Sequence, residues 1–382
     1  MKYRHFGSTG IQVSALGFGC MRLPTTDHKP FSGSIDEKET IHMLRYAIDH
    51  GVNYIDTAYG YHDEKSEEVV GKALKNGYRD KVLLATKMPI WLVQNDRDFS
   101  RYLEEQLRRL NTNRLDVYLL HNLKKETHLP LIELGIFSWV EKALSQGLIR
   151  YFGFSTHEPY PVFKDFIDSY DRWSVAQIQY NYMNEDVQAG TKGLKYAAEK
   201  GIAVVIMEPL LGGTLAKPHP DIITLLNQAK SLRSPADWAF QWLWNKSEIS
   251  LVLSGMSDLE QVRQNILSSE QSGINSLTQE ELALITDIQA KYSSMNPIPC
   301  TKCGYCLPCP NQVDIPRNFE LYNTAVVFDQ MVLNRNIYQN VFPEEMRAGK
   351  CIQCGVCEEK CPQHISIRDW LFEIQKSLGN GN

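Results

Sequence analysis

AVVIM, at residues 203–207, is a near-continuous apolar run, and a strand of that kind implies burial on both faces, as in a sheet wrapped by helices. Working outward, short runs of the same character recur at 16–19, 53–58, 82–87, 115–121, 150–155 and 176–180, with this run reaching 203–208 and another at 250–255. Amphipathic helical stretches separate them, for example 36–50, 65–75, 100–110 and 258–268. Strand and helix in alternation predict parallel βα units, and eight such units close a (β/α)8 TIM barrel. Ahead of them, KYRHFG and IQVSA flank a Ser8-Thr9-Gly10 turn and predict a hairpin that plugs the bottom of the barrel. A further helix over 278–292, capped by Thr278 with Glu281 three residues on, leads to the break NPIPC. The barrel is therefore expected over 1–292 and a second, smaller domain over 293–382.

Eight of the nine cysteines lie in that second part, as Cys300, Cys303, Cys306 and Cys309 before Pro310, and Cys351, Cys354, Cys357 and Cys361 before Pro362. The second run has the bacterial ferredoxin spacing C-x2-C-x2-C-x3-C-P, in which three cysteines hold one 4Fe-4S cubane and the fourth reaches the other. The first run is one residue shorter before its last cysteine. By that crossing rule Cys300, Cys303, Cys306 and Cys361 would hold one cluster, and Cys351, Cys354, Cys357 and Cys309 the other. Two other uses compete, a pair of zinc sites and disulfides. Zinc usually takes two separated C-x2-C pairs rather than four cysteines in one run. The segments DIPRNFELYN and SIRDWLFEIQKSL look helical, so the module is expected to be α-helical and ferredoxin-like.

Composition is globular, with 43% hydrophobic and 22% charged residues and a net charge of −5, which argues against disorder and against a polyanion-binding surface. No nucleic-acid partner is expected. MKYRHFGSTGIQVSA lacks an apolar signal segment and no stretch approaches a membrane span, so a reducing cytoplasm is the expected compartment.

In a (β/α)8 barrel, chemistry gathers at the C-terminal ends of the strands. Strand 2 ends in Asp56 with Tyr61 five residues later (IDTAYGY), strand 3 in Lys87 (LLATK) and strand 4 in His121 (VYLLH). Taken singly, Asp56 and Lys87 read as a structural ion pair and His121 as a core histidine. Taken together, and with SEEVVGKAL after strand 2, they resemble the aldo-keto reductase family across residues 1–290, here as a ferredoxin-fused subgroup. The resemblance implies NAD(P)H-dependent reduction of a small-molecule carbonyl, or oxidation of the alcohol. Tyr61 would be the proton donor, Lys87 held by Asp56 would lower the phenol pKa toward a useful range, and His121 would orient the substrate oxygen.

The same resemblance implies a cofactor track, NADP or NAD. Ser155, Thr156 and Gln177 would hold the carboxamide, with Thr156 standing where the family usually has asparagine. Met207 would replace a stacking aromatic. Glu208, Pro209, Leu210, Leu211, Gly212 and Gly213 would wrap the pyrophosphate. In Ser254-Gly255-Met256-Ser257, Ser257 is expected to begin a helix whose free N–H groups receive a phosphate, with Gln264 and Asn265 on the adenine. Gly255 and Gln261 stand where many NADP-preferring relatives carry lysine and arginine. Gly19, Cys20 and Met21 end strand 1 where relatives contact cofactor, although a buried small residue is the plainer reading of Cys20. Tyr59, Trp91 and His157 are candidates for pocket lining.

A hydride carries two electrons and a four-iron cluster passes one at a time, so clusters that are redox-active in turnover imply a flavin partner or a radical-tolerant substrate, and a flavoprotein or ferredoxin is the expected kind of redox partner protein. Two other readings stay open. The barrel is then a nicotinamide-binding docking module for electron transfer, or the clusters are purely structural.

Overall fold

The structure is a computed structural model that describes residues 1–300 and 302–379. Contacts divide the chain into two compact units, one of Met1–Ala216 with Arg233–Thr278, the other of Lys217–Leu232 with everything from Gln279 onward. The boundary expected at 292/293 falls in the last turn of the helix Gln279–Ser294, which belongs to the second unit.

In the first unit, strands β1 (Tyr3–His5) and β2 (Gln12–Ser14) form an antiparallel hairpin. Eight parallel strands follow: β3 (Leu16–Gly19), β4 (Tyr54–Asp56), β5 (Leu83–Met88), β6 (Leu115–Leu120), β7 (Ile149–Thr156), β8 (Val175–Gln179), β9 (Ala203–Met207) and β10 (Ile249–Gly255). They pair in chain order, and β10 pairs both β9 and β3, so the barrel is closed and has no free edge. Each expected strand is present, with its ends displaced by at most a few residues. The helices Glu37–Asp49, Ser66–Ala73, Arg97–Arg109 and Leu259–Glu270 lie at the four stretches expected to be helical.

Side chains alternate along a strand with a period of two, and this places the site. Tyr54, Ala85, Val117, Leu119, Val175, Ala203, Val205, Leu251 and Leu253 fill the barrel interior. Two residues further along the same strands come Asp56, Lys87, His121 and Gln177, which therefore share the inward face at the open end. The register supports this, with Gly19 beside Asp56, Asp56 beside Ala85, and Lys87 beside Leu119. At the other end Phe6 and Val13 of the hairpin pack onto the interior cluster. Arg4 ties the hairpin down by donating to the carbonyls of Trp244 at 2.9 Å and Lys246 at 2.6 Å.

The second unit is helical. Ile315–Val327, Met331–Asn340 and Ile367–Ile374 surround a core that includes Ile298, Val313, Phe319, Tyr338, Phe342 and Leu371. Pro220–Leu226 packs on Gln279–Ser294, where Lys291 pairs with Asp221 at 2.8 Å. Among the described residues no helix is long and apolar enough to cross a membrane.

Phe6 is fully buried in the plug, so Phe6→Ala should cost about 3–5 kcal/mol, read from the midpoint of the barrel's denaturant transition. An unchanged midpoint would show that the hairpin is dispensable.

Candidate active site

Lys87 is the centre of the polar group at the barrel mouth. Its Nζ donates to Asp56 Oδ1 at 2.6 Å, to the Thr57 carbonyl at 2.8 Å and to Tyr61 Oη at 3.2 Å. Lys87 and Asp56 are almost wholly buried, so the ion pair sits out of water. Burial alone would strip the ammonium of its proton; the Asp56 carboxylate and Tyr61 outweigh it and leave the Lys87 pKa above its ordinary value. Burial likewise raises the Asp56 carboxyl, against the pull of Lys87.

Tyr61 departs from expectation in one respect. Burial raises its pKa, Lys87 pulls it down only in part, and the net position is above that of an ordinary tyrosine. The proton is therefore held rather than loosened. His121 lies edge-on to Tyr61, ring centroids 5.8 Å apart, and Trp91 packs edge-on to His121 at 5.2 Å. Burial, with Lys87 and His157 nearby, lowers the His121 pKa to about 3, so the imidazole is neutral. Its Nδ1 is buried without a partner, as are Asp56 Oδ2 and Gln177 Oε1. Buried polar atoms are rarely left unpaired, and three around one mouth mark where a polar ligand belongs.

The structure brings most of the expected cofactor residues to this same mouth, with differences in how they are used. Ser155 Oγ accepts from the Asn122 N–H at 2.9 Å and keeps its own hydrogen to give. The Thr156 hydroxyl is occupied on both sides, donating to Leu123 O at 2.7 Å and accepting from Glu158 N–H at 3.1 Å. Met207 ends β9, and the loop after it is left-handed at Glu208, Leu211, Gly212 and Gly213. A Cβ at Gly213 would meet nothing within 4 Å, so this is an open cradle of backbone.

The helix expected to begin at Ser257 begins instead at Leu259. Asp258 caps it by accepting from Gln261 N–H at 2.8 Å, and the Gln261 side chain takes the Ser257 N–H at 3.0 Å. A carboxylate at a helix N-terminus satisfies the very N–H groups that a phosphate would need. Asn265 donates to Ser254 Oγ at 3.0 Å, Gln264 reaches Glu260 at 3.0 Å, and Met256 is fully buried. Cys20 is buried beside Asp56 and Lys87, whereas Met21 is exposed. Tyr59 is not pocket lining, because it packs edge-on to Tyr102 at 5.5 Å and is buried. His157 is exposed and bonds Gln188 at 3.1 Å.

Sequence reasoning missed His62. His62 Nε2 accepts from the Leu23 N–H at 3.1 Å, so Nδ1 carries the proton and donates to Ser32 O at 2.8 Å. With Asp63, which accepts from Gly33 N–H at 2.8 Å, it fastens the segment after β3 to the turn that carries Tyr61. His62, Asp63 and Glu64 are all left-handed, at φ of 53°, 50° and 66°, a strained run for side chains other than glycine. Adjacency to Tyr61 was the only signal in the sequence.

In the second unit, Cys300, Cys303, Cys306 and Cys361 line one cavity together with Ile315, Phe319 and Ile367. Cys351 and Cys354 lie close enough to Cys357 to raise its pKa, after burial, and Cys309 packs against the same helical core. All eight are free thiols. Among the described residues no three metal-ligating side chains converge on a single-ion site.

Comparison with known proteins finds two family matches along the chain. Residues 15–290 match the aldo/keto reductase family, and residues 299–365 match the 4Fe-4S dicluster domain. The "Uncharacterized oxidoreductase YqkF" of Bacillus subtilis is 27% identical over 312 residues, 74% of this chain and 94% of that protein. "Probable aldo-keto reductase 1" of Glycine max is 26% identical over 295 residues, 68% of this chain and 82% of that one. Aldo-keto reductase AKR11C1 from Bacillus halodurans (holo form) superposes with a TM-score of 0.62 at 27% identity, covering 75% of this chain and 96% of that chain. An aldo-keto reductase from Klebsiella pneumoniae in complex with NADPH superposes with a TM-score of 0.61 at 26% identity, covering 76% and 96%. The closed barrel, the polar group at its mouth and the match over most of the chain lead to one conclusion: this oxidoreductase belongs to the aldo/keto reductase family and carries a 4Fe-4S dicluster domain at its C-terminal end.

Proposed function

We propose that the barrel reduces a small-molecule carbonyl with NADPH or NADH, Tyr61 delivering the proton, and that the C-terminal domain holds two 4Fe-4S clusters that pass electrons to a partner protein. The observation that carries the first part is the buried Lys87 ammonium 3.2 Å from Tyr61 Oη and 2.6 Å from Asp56. The nicotinamide, when bound, supplies the hydride. Ser155 and Gln177 suit its carboxamide, since Ser155 retains a hydrogen to donate and Gln177 has a buried carbonyl oxygen without a partner. The loop of Gly212 and Gly213 suits the pyrophosphate.

Tyr61 keeps its proton at neutral pH, as an ordinary phenol does, and burial raises its pKa further. It yields that proton to an oxygen whose negative charge grows as the carbonyl is reduced, and Lys87, its Oη neighbour, stabilises the phenolate left behind. His121, neutral, offers a hydrogen bond that orients the carbonyl oxygen without adding charge beside Lys87.

For the second part, the four cysteines of one proposed cluster line a single cavity as the crossing of ligands between the two runs requires. Soft thiolates in a small helical core suit iron and sulfide. Because a hydride moves two electrons and each cluster one, electron flow from nicotinamide to the clusters calls for a flavoprotein that splits the pair, or for a substrate that tolerates a radical, and a ferredoxin suits only as a one-electron partner of the clusters.

Tyr61→Phe should lower kcat/KM for carbonyl reduction by at least about a hundredfold with the cofactor Kd unchanged; retained activity would remove Tyr61 from the chemistry. Since the His121 pKa is lowered to about 3, the group is unprotonated above that value and contributes no acidic limb near its ordinary pKa. A kcat/KM profile should therefore be flat from about pH 5.5 to about pH 8 as regards this residue. An acid limb in that window that vanishes in His121→Asn would contradict this. Anaerobically purified protein should contain about eight iron and eight sulfide per chain, and Cys361→Ser about half as much. Zinc in place of iron would overturn the cluster assignment.

A further inference from the structure

We infer that Arg22 binds the pyrophosphate of the nicotinamide dinucleotide, supplying from the β3 end a positive charge that the β10 end lacks. This rests on the reading of the barrel mouth as the dinucleotide site.

Arg22 closes the short 3-10 turn Cys20–Arg22 and is half-buried. Its stem lies over Gly255, where a Cβ would meet Arg22 Cδ, Cβ and Cγ at 3.2, 3.3 and 3.4 Å. Its guanidinium lies beside the loop after β9, with NH2 3.6 Å from where a Cβ of Gly212 would stand. One side chain thus spans the ends of β3 and β10 and the left-handed glycine loop. Glycine at 255 and arginine at 22 belong together, because a larger residue at 255 would occupy the space that the arginine stem takes.

The guanidinium has no carboxylate partner among the described residues. Its contact is with the Phe31 ring, 5.1 Å from the centroid. Stacking on an aromatic face orients the planar fork while leaving its N–H groups free for an anion, the arrangement in which arginine binds phosphate through paired hydrogen bonds. Phe31 is itself held in place, since Leu23, Ser32 and Gly33 on either side of it are fastened to His62 and Asp63.

The opposite wall offers a phosphate little. Gly255 has no side chain, Gln261 is uncharged, and the helix N-terminus is already satisfied by the Asp258 carboxylate. The loop beside the guanidinium, by contrast, has open space over Gly213. The pyrophosphate is favoured over a 2′-phosphate because the guanidinium faces the glycine loop, and only the uncharged stem faces Gly255.

The test is titration of the full chain with NADP+ and with NAD+, which share the pyrophosphate and differ in the 2′-phosphate, followed by quenching of protein fluorescence. Arg22→Met should weaken both by about tenfold to about a hundredfold, and Arg22→Lys should restore part of the loss. Thermal melting and iron content, unchanged in both variants, show that the fold is intact. Weakening confined to NADP+ would overturn the pyrophosphate assignment, and equal binding by Arg22→Met would overturn any role for Arg22 in holding the cofactor. Wild-type protein that binds neither nucleotide would instead bring down the dinucleotide reading, and this inference with it.

Discussion

The ammonium of Lys87 is the group on which the mouth of the barrel is organised. A cation removed from water is tolerated only with its charge paired and its hydrogens placed, and Lys87 has one carboxylate oxygen, one carbonyl and one phenol for its three N–H bonds. Thr57 and the Lys87 backbone are themselves anchored. Thr57, whose carbonyl accepts from Lys87, is bonded through its hydroxyl to Ser66 at 2.8 Å. The Lys87 carbonyl accepts from Gln106 at 3.0 Å, and Gln106 also bonds Glu67 at 2.6 Å, Thr86 at 3.1 Å and Tyr118 at 2.8 Å. The helices Ser66–Ala73 and Arg97–Arg109 therefore grip the strand end from behind. Removing one member of such a buried set leaves another unpaired, at a cost of about 1–3 kcal/mol for a neutral group and more for a charge.

Burial also decides the protonation states. The same dry surroundings that make the ion pair strong hold the proton on Tyr61 and keep it off His121. The site thus sets a protonated phenol, a neutral imidazole and a fixed cation within a few ångströms of each other. Tyr61 owes its place to the strained turn that follows it, where His62 and Asp63 are held left-handed by their bonds to the segment after β3.

In the helical unit, the thiols repel one another's ionisation. Burial first, and then its neighbours Cys300 and Cys303, push Cys306 up to about 11, so at neutral pH the apo thiol is protonated. A metal that binds there must displace protons, and the affinity should be coupled both to pH and to folding of the loops.

The periodicity of the apolar runs determined the barrel, and the positions of Asp56, Lys87 and His121 at strand ends determined which residues share the mouth, because a parallel strand of known direction and period has no other way to place them. The cysteine spacing likewise gave the dicluster domain, since ligation by short turns is a local property. What was legible only as residue types was their use. Thr156 is bonded to Leu123 and Glu158 and Asn265 to Ser254, Asp258 rather than Ser257 caps the last barrel helix, and helix Gln279–Ser294 joins the second unit. Hydrogen-bond partners far apart in sequence decide such matters. The net rise in the Tyr61 pKa is of the same kind, because burial by the whole barrel outweighs the pull of the nearby Lys87. Arg22 lies in an unremarkable turn of the sequence, and only the closure of the barrel, which brings β3 beside β10, sets it over Gly255 and Gly212.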